Sequence, residues 1–130
     1  MTSAEEVLFH IHSEWETKIR NMEPGPELDI LVAEKVLGLI KDDVDRNLFK
    51  AAPRRYSTDI SAAWELVEKM LERGGCEIGC YADKSGGKWF EVNVITMNGE
   101  VTVTAHTVSE AICKAALLAV MDGEDEHERD

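Results

Sequence analysis

The feature that most constrains this chain is the change in its hydrophobic period at Gly74-Gly75. Upstream, apolar residues recur at steps of three and four, the spacing of one helix face. Downstream they alternate. Cys76, Ile78, Cys80 and Ala82 fall on one side of a strand, with Glu77, Gly79 and Tyr81 on the other. Asp83 to Gly87 is a polar, glycine-bearing turn. Phe90, Val92 and Val94 then form the apolar face of a second strand, opposite Trp89, Glu91, Asn93 and Ile95. Asn98-Gly99 is a hairpin signal, and a third strand carries Val101, Val103 and Ala105 inward and Thr102, Thr104 and His106 outward. Three strands joined by two short turns predict an antiparallel meander whose apolar face must be covered.

The covers are read from the helical stretches. Ser3 with Glu6 is a capping box, followed by a stripe of Leu8, Ile11, Trp15, Ile19 and Met22. Pro24-Gly25-Pro26 stops that helix, and Pro26 suits the first position of the next, where a missing N–H costs nothing. Leu28, Leu31, Val32, Val36, Leu39 and Ile40 form the second stripe. Periodicity fails from Lys41 to Ser57, a long connection with Pro53 inside it. A third helix starts at Ser57-Thr58-Asp59, with Ile60, Ala63, Trp64, Val67, Met70 and Leu71 as its stripe. Thr107 with Glu110 is another capping box. It opens a last helix carrying Val108, Ala111, Ile112, Ala115, Leu118 and Ala119 inward and ending at Gly123.

The fold class is therefore α+β, in the order α-α-α-β-β-β-α. The second face of the meander is mixed, with Tyr81, Trp89 and Ile95 beside polar neighbours. A helix over it would make an α/β/α sandwich. The first helix is one candidate cover, and an exposed arm that pairs with another chain is the alternative. The 130 residues suit one domain. It spans residues 1–121, with helix 1–22 as an N-terminal addition and 122–130 as an acidic tail expected to be disordered.

Three stretches resemble a known family. They are Glu27-Leu28-Asp29 running into Leu31-Val32-Ala33-Glu34-Lys35-Val36, then Ser57-Thr58-Asp59-Ile60-Ser61-Ala62-Ala63-Trp64-Glu65-Leu66-Val67-Glu68-Lys69-Met70, and Ala111-Ile112-Cys113-Lys114-Ala115-Ala116-Leu117. Their order and spacing are similar to the phage ABA-sandwich domain, found in short proteins of phages and prophages, over roughly residues 27–121. The middle stretch is the most specific. The resemblance implies helices on both faces of a sheet and a phage setting. It brings no catalytic residues to carry over, and the N-terminal helix departs from the family's core.

Charge narrows the functional classes. The net charge is −12, of which Asp122 to Asp130 supply −5. Such a balance disfavours direct nucleic-acid binding, because phosphate contacts need Lys and Arg to displace counterions. It suits either plain solubility or attraction to a protein with a basic surface. Glu5, Glu6, Glu14, Glu16 and Glu23, on or near the first helix, are the candidate acidic surface, in imitation of a phosphate track. The opposite charge is concentrated in one stretch, Arg46, Lys50, Arg54, Arg55 and Tyr56. This is the candidate anion site, with Arg forks on phosphate and Tyr56 stacking on a base.

Cofactor and metal chemistry are not expected. Cys76 and Cys80 lie four strand steps apart, roughly 13 Å, too far for a disulfide or one zinc ion. They and Cys113 read as small buried apolar residues. His10 and His12 point to different sides of a helix, and His106 has no nucleophile beside it in any recognised arrangement. The longest apolar run, Ala115 to Met121, is far short of a membrane span. No basic stretch leads into an apolar run at the start, and three cysteines are no disulfide framework, so a reducing host cytoplasm is the expected setting. The leading expectation is a non-enzymatic phage accessory protein that binds a host defence protein with a basic surface, such as a CRISPR effector or restriction nuclease. The alternatives are a binder that sequesters an anionic nucleotide signal, and a structural protein dimerising through its first helix.

Overall fold

A computed structural model describes residues 14–97 and 99–129, with the backbone path alone for 122–129. The sheet consists of β1 (Gly75–Ala82), β2 (Lys88–Thr96) and β3 (Gly99–Ala105). Its order is β1-β2-β3, antiparallel throughout, as the two short turns require. The period-two reading holds face for face. Ile78, Val92 and Val103 stand side by side across the sheet, as do Cys76, Val94 and Val101. The valines of both rows are buried. The β1–β2 turn is organised by Asp83, whose Oδ1 accepts from Ser85 N (3.0 Å), Ser85 Oγ (2.7 Å) and Gly87 N (2.7 Å).

The helices are α1 (residues 14–21 in its described part), α2 (Pro26–Leu31), α3 (Asp43–Ala51), α4 (Ile60–Leu71) and α5 (Val108–Arg129). The element order is the expected one with a helix added. The capping box Ser3/Glu6 and the apolar Leu8 and Ile11 lie outside the described residues, as does Asn98.

The last helix is the centre of the molecule. Its residues 111–120 are buried without a break. It lies across β2 and β3, with α4 beside it above β1, and Val32–Val36 packs against it as well. A helix buried all round needs apolar residues all round. The single stripe read from the sequence was therefore too narrow, because Cys113, Ala116, Leu117 and Val120 are enclosed too. Four alanines, at 111, 115, 116 and 119, let its neighbours approach closely. Its N-terminus is capped as expected, with Glu110 N donating to Thr107 Oγ1 at 3.2 Å. The helix runs on past Gly123, the expected stop, to Arg129.

Several other expectations are corrected. The second stripe does not continue as one helix to Ile40. After Leu31 the chain widens into a single π-helical turn, Val32–Val36, and Gly38 at φ +64° turns it away. Leu39 is consequently exposed while Ile40 re-enters the core. The stretch from Lys41 to Ser57 is not irregular throughout, because it contains α3. That helix is set by its ends: Asp42 Oδ1 accepts from Asp45 N at 2.8 Å, acids fill the first turn and Lys50 the last. Val44, Leu48 and Ala51 do keep helical spacing, but none of the helix is buried, and Val44 and Leu48 are exposed. In α4, Ile60, Trp64 and Leu71 from the expected stripe are about half exposed, whereas Ala62 and Leu66 are buried.

The first helix packs on the helical side of the sheet. Ile19 joins the core, and Lys114 Nζ of α5 donates to Arg20 O (2.9 Å) and to Glu110 Oε2 (2.7 Å). Arg20 Nη1 reaches Thr102 O on the outer edge of β3 at 2.8 Å. The described part of α1 is therefore not the cover of the second sheet face.

Candidate interaction surfaces

The predicted anion site is largely occupied from within. Arg46 is hydrogen-bonded to Glu34, and Arg54 Nε donates to Glu65 Oε2 at 2.8 Å. Tyr56 cannot stack on a ligand, because it is 1% exposed and packs in the core with Phe49 at 6.5 Å between ring centroids. Burial pushes its hydroxyl above the ordinary tyrosine range, with the Glu65 charge adding to the effect. Lys50 and Arg55 remain exposed on this stretch. The reason lies in the segment's path to α4. Ser57 is buried, its N–H donating to Asp29 Oδ1 (2.8 Å) and its Oγ accepting from Gly25 N (2.9 Å), which draws the neighbouring Tyr56 inward. Of the three expected caps, only Asp59 caps α4, accepting from Ser61 N at 2.9 Å.

Of the candidate acidic residues, Glu5 and Glu6 lie outside the described residues. Glu14, Glu16 and Glu23 are exposed. Glu16 is paired with Arg20 at 3.1 Å, so its charge is partly balanced locally.

A more concentrated surface lies on the open face of the sheet, which no helix covers among the described residues. Tyr81 stands opposite Trp89 in register, and their rings stack at 5.6 Å with 13° between planes. Gly79 makes room for this pair. A Cβ there would meet the Tyr81 ring at 2.7 Å, so the phenol lies flat over the glycine. The next rows across the sheet are Gly79–Glu91–Thr104, Glu77–Asn93–Thr102 and Gly75–Ile95–Glu100. Thr102 Oγ1 donates to Asn93 Oδ1 at 2.9 Å, which fixes the amide. The carboxylates Glu77, Glu91 and Glu100 have no ion-pair partner among the described residues, and no Lys or Arg stands in these rows. An aromatic pair beside unpaired carboxylates is suited to guanidinium and ammonium groups through cation–π and charge-assisted contacts. The sequence displayed every member of this face, yet the acids sit one to a strand and form no run. Only the register gathers them.

The cysteines divide by position. Cys113 is buried, and burial drives its thiol far above the ordinary range, with the Asp29 charge second. Cys76 is half-buried and raised by burial as well. Cys80, expected to be buried, is exposed, as are Tyr81 and Ala82 beside it at the end of β1. All three are free thiols. No group of three metal-ligating side chains is assembled among the described residues. None of the described helices is long and apolar enough to cross a membrane.

This meander with its buried C-terminal helix defines a small α+β domain of a class found in phage proteins. Residues 30–117 match the phage ABA sandwich domain, and the chain belongs to that family. A phage protein from Bacillus cereus ATCC 14579, known from a 2.0 Å crystal structure, is similar, with 31% identity and a TM-score of 0.56. The match covers 78% of this chain and 89% of that one. No curated protein matches the sequence.

Proposed function

We propose that this is a non-enzymatic accessory protein of a phage, acting in the cytoplasm of the infected cell by binding a basic surface of a host defence protein. The observation that carries the reading is the open sheet face, where Glu91 stands in the row next to the stacked Tyr81–Trp89 pair and Glu77 and Glu100 lie in the rows beyond it. A basic groove on a nuclease, shaped to hold nucleic acid, offers the complementary groups. The carboxylates would stand where phosphates stand, and the aromatic pair would take an arginine or a base-binding side chain. The net charge of −12 would steer the encounter at long range. Membership of a phage family supplies the setting in which such an inhibitor is useful. Exposed Glu14, Glu16 and Glu23 add negative charge on the helical side of the molecule, with Glu16 partly balanced by Arg20.

The test is phage plating on hosts carrying individual restriction or CRISPR systems. The wild-type protein is expected to restore plating on at least one such host. Glu77→Lys/Glu91→Lys/Glu100→Lys should abolish that protection while leaving circular dichroism unchanged. Protection that survives this reversal, and a second reversal of Glu14, Glu16 and Glu23, rejects the proposal.

A further inference from the structure

The two edges of the sheet are treated differently. Hydrogen bonding in an antiparallel ladder alternates residue by residue. The bond from Asp83 N to Gly87 O, 2.8 Å, sets the phase at the β1–β2 hairpin. Gly75, Glu77, Gly79 and Tyr81 therefore exchange bonds with β2, and the backbone groups of Cys76, Ile78, Cys80 and Ala82 point away from the sheet. The same alternation carried across β2 points Thr102 outward from β3, and there Arg20 caps its carbonyl. On β1 no loop or side chain does this among the described residues. The strand has no proline, no lysine and no bulge, and its register runs unbroken over Gly75–Ala82. These are the devices that usually protect an edge.

Beside this edge stands an apolar stripe. At 100° per residue, Ile60, Trp64 and Leu71 fall within about 40° of one another on α4. They are 46%, 50% and 55% exposed. Helix α4 lies above β1, the outermost strand, with α5 on its inner side. A third side carries Glu65, held by Arg54 from the segment that joins α3 to α4. The stripe occupies the remaining side, above the open edge.

We infer that the β1 edge and the Ile60–Trp64–Leu71 stripe form a self-complementary surface whose occupant is a second copy of this chain. A two-fold axis normal to the sheet would set β1 antiparallel to the partner's β1. All four outward residues have the same parity, so any such register places outward groups against outward groups. The same axis keeps both helical layers on one side, and each α4 is the outermost helix of its layer. The two stripes then close over the seam of a continuous six-stranded sheet. An unrelated partner would have to supply both a free strand and an apolar helix at this offset. The second copy has both by construction, and the contact is closed and isologous. The acidic sheet face lies on the other side and stays open.

Size-exclusion chromatography with light scattering on the full chain tests this across a concentration series. The expected mass is twice the 14.5 kDa of one chain. Because each copy carries −12, dimerisation should strengthen with added salt. Trp64→Glu should weaken it at least tenfold. Cys80→Pro removes an N–H that only the edge uses and should do the same. Circular dichroism establishes that each variant is folded, and Leu71→Glu replaces either that is not. A native chain that stays monomeric at the highest concentration overturns the inference. So does a dimer that persists in the folded variants.

Discussion

Asp29 is 3% exposed, and its Oδ1 receives the buried N–H of Ser57, twenty-eight residues away. Together with the Ser57 hydroxyl on Gly25, it clamps the start of α2 to the approach of α4. Asp29→Ala would leave a buried donor unpaired and is expected to cost about 1–3 kcal/mol in urea unfolding. Asp29→Asn keeps an acceptor and should cost less. Cys113 makes a different kind of residue-scale contribution. Its thiol is pushed up by burial relative to the ordinary value of about 9, so the native state holds a proton that the unfolded chain releases. Stability from this source is fully present below that ordinary value and falls as pH rises above it. The urea midpoint should therefore drop beyond about pH 9, less steeply in Cys113→Ala. In the native protein a thiol reagent should modify Cys80 first and reach Cys113 only on unfolding.

At the scale of elements, legibility followed the amount of buried surface each element contributes. The strands of the meander alternate cleanly because one face is packed and the other open, and their faces were assigned residue by residue. Helix α3 carries only a short apolar stripe, Val44, Leu48 and Ala51, beside Pro53; it buries none of its residues and is specified by its cap and end charges. Asp42→Ala should accordingly fray α3, with a loss of about 1 kcal/mol and faster amide exchange from Asp45 to Phe49. The apolar spacing of α4 includes Ile60, Trp64 and Leu71, which the fold leaves about half exposed. Pattern alone cannot distinguish a residue packed against its own core from one presented to a neighbouring surface. The central place of α5 was hidden for a related reason. Its sequence is apolar almost all round, and a stripe chosen from such a helix underestimates what it buries.

For the whole molecule, charge and register together define the candidate surface, and only the first can be counted in a sequence. Glu77, Glu91 and Glu100 come from three separate strands, and the Tyr81–Trp89 stack exists only once β1 and β2 are paired. The anion site failed for the converse reason. Arg46, Lys50, Arg54 and Arg55 are clustered in sequence, but Arg46 and Arg54 find Glu34 and Glu65 across the fold. Two associations of opposite electrostatic sign follow for the molecule. Binding to a basic partner should weaken as salt rises, through a slower association rate measurable by stopped flow. Self-association should strengthen over the same range. A single salt titration with both readouts separates them.

The burial of residues 111–120 between the sheet and the N-terminal helices also sets when this protein can form. The segment that fills its centre follows every other described element in the chain. Until it is made, the meander presents its row of valines to water, and α2 and α4 have no common surface to close on. The native state is therefore unavailable until α5 itself has been made, even when every other described element is complete. The interval before α5 emerges is when chaperones would be most needed, and a stop codon at the start of α5 would remove the molecule's middle.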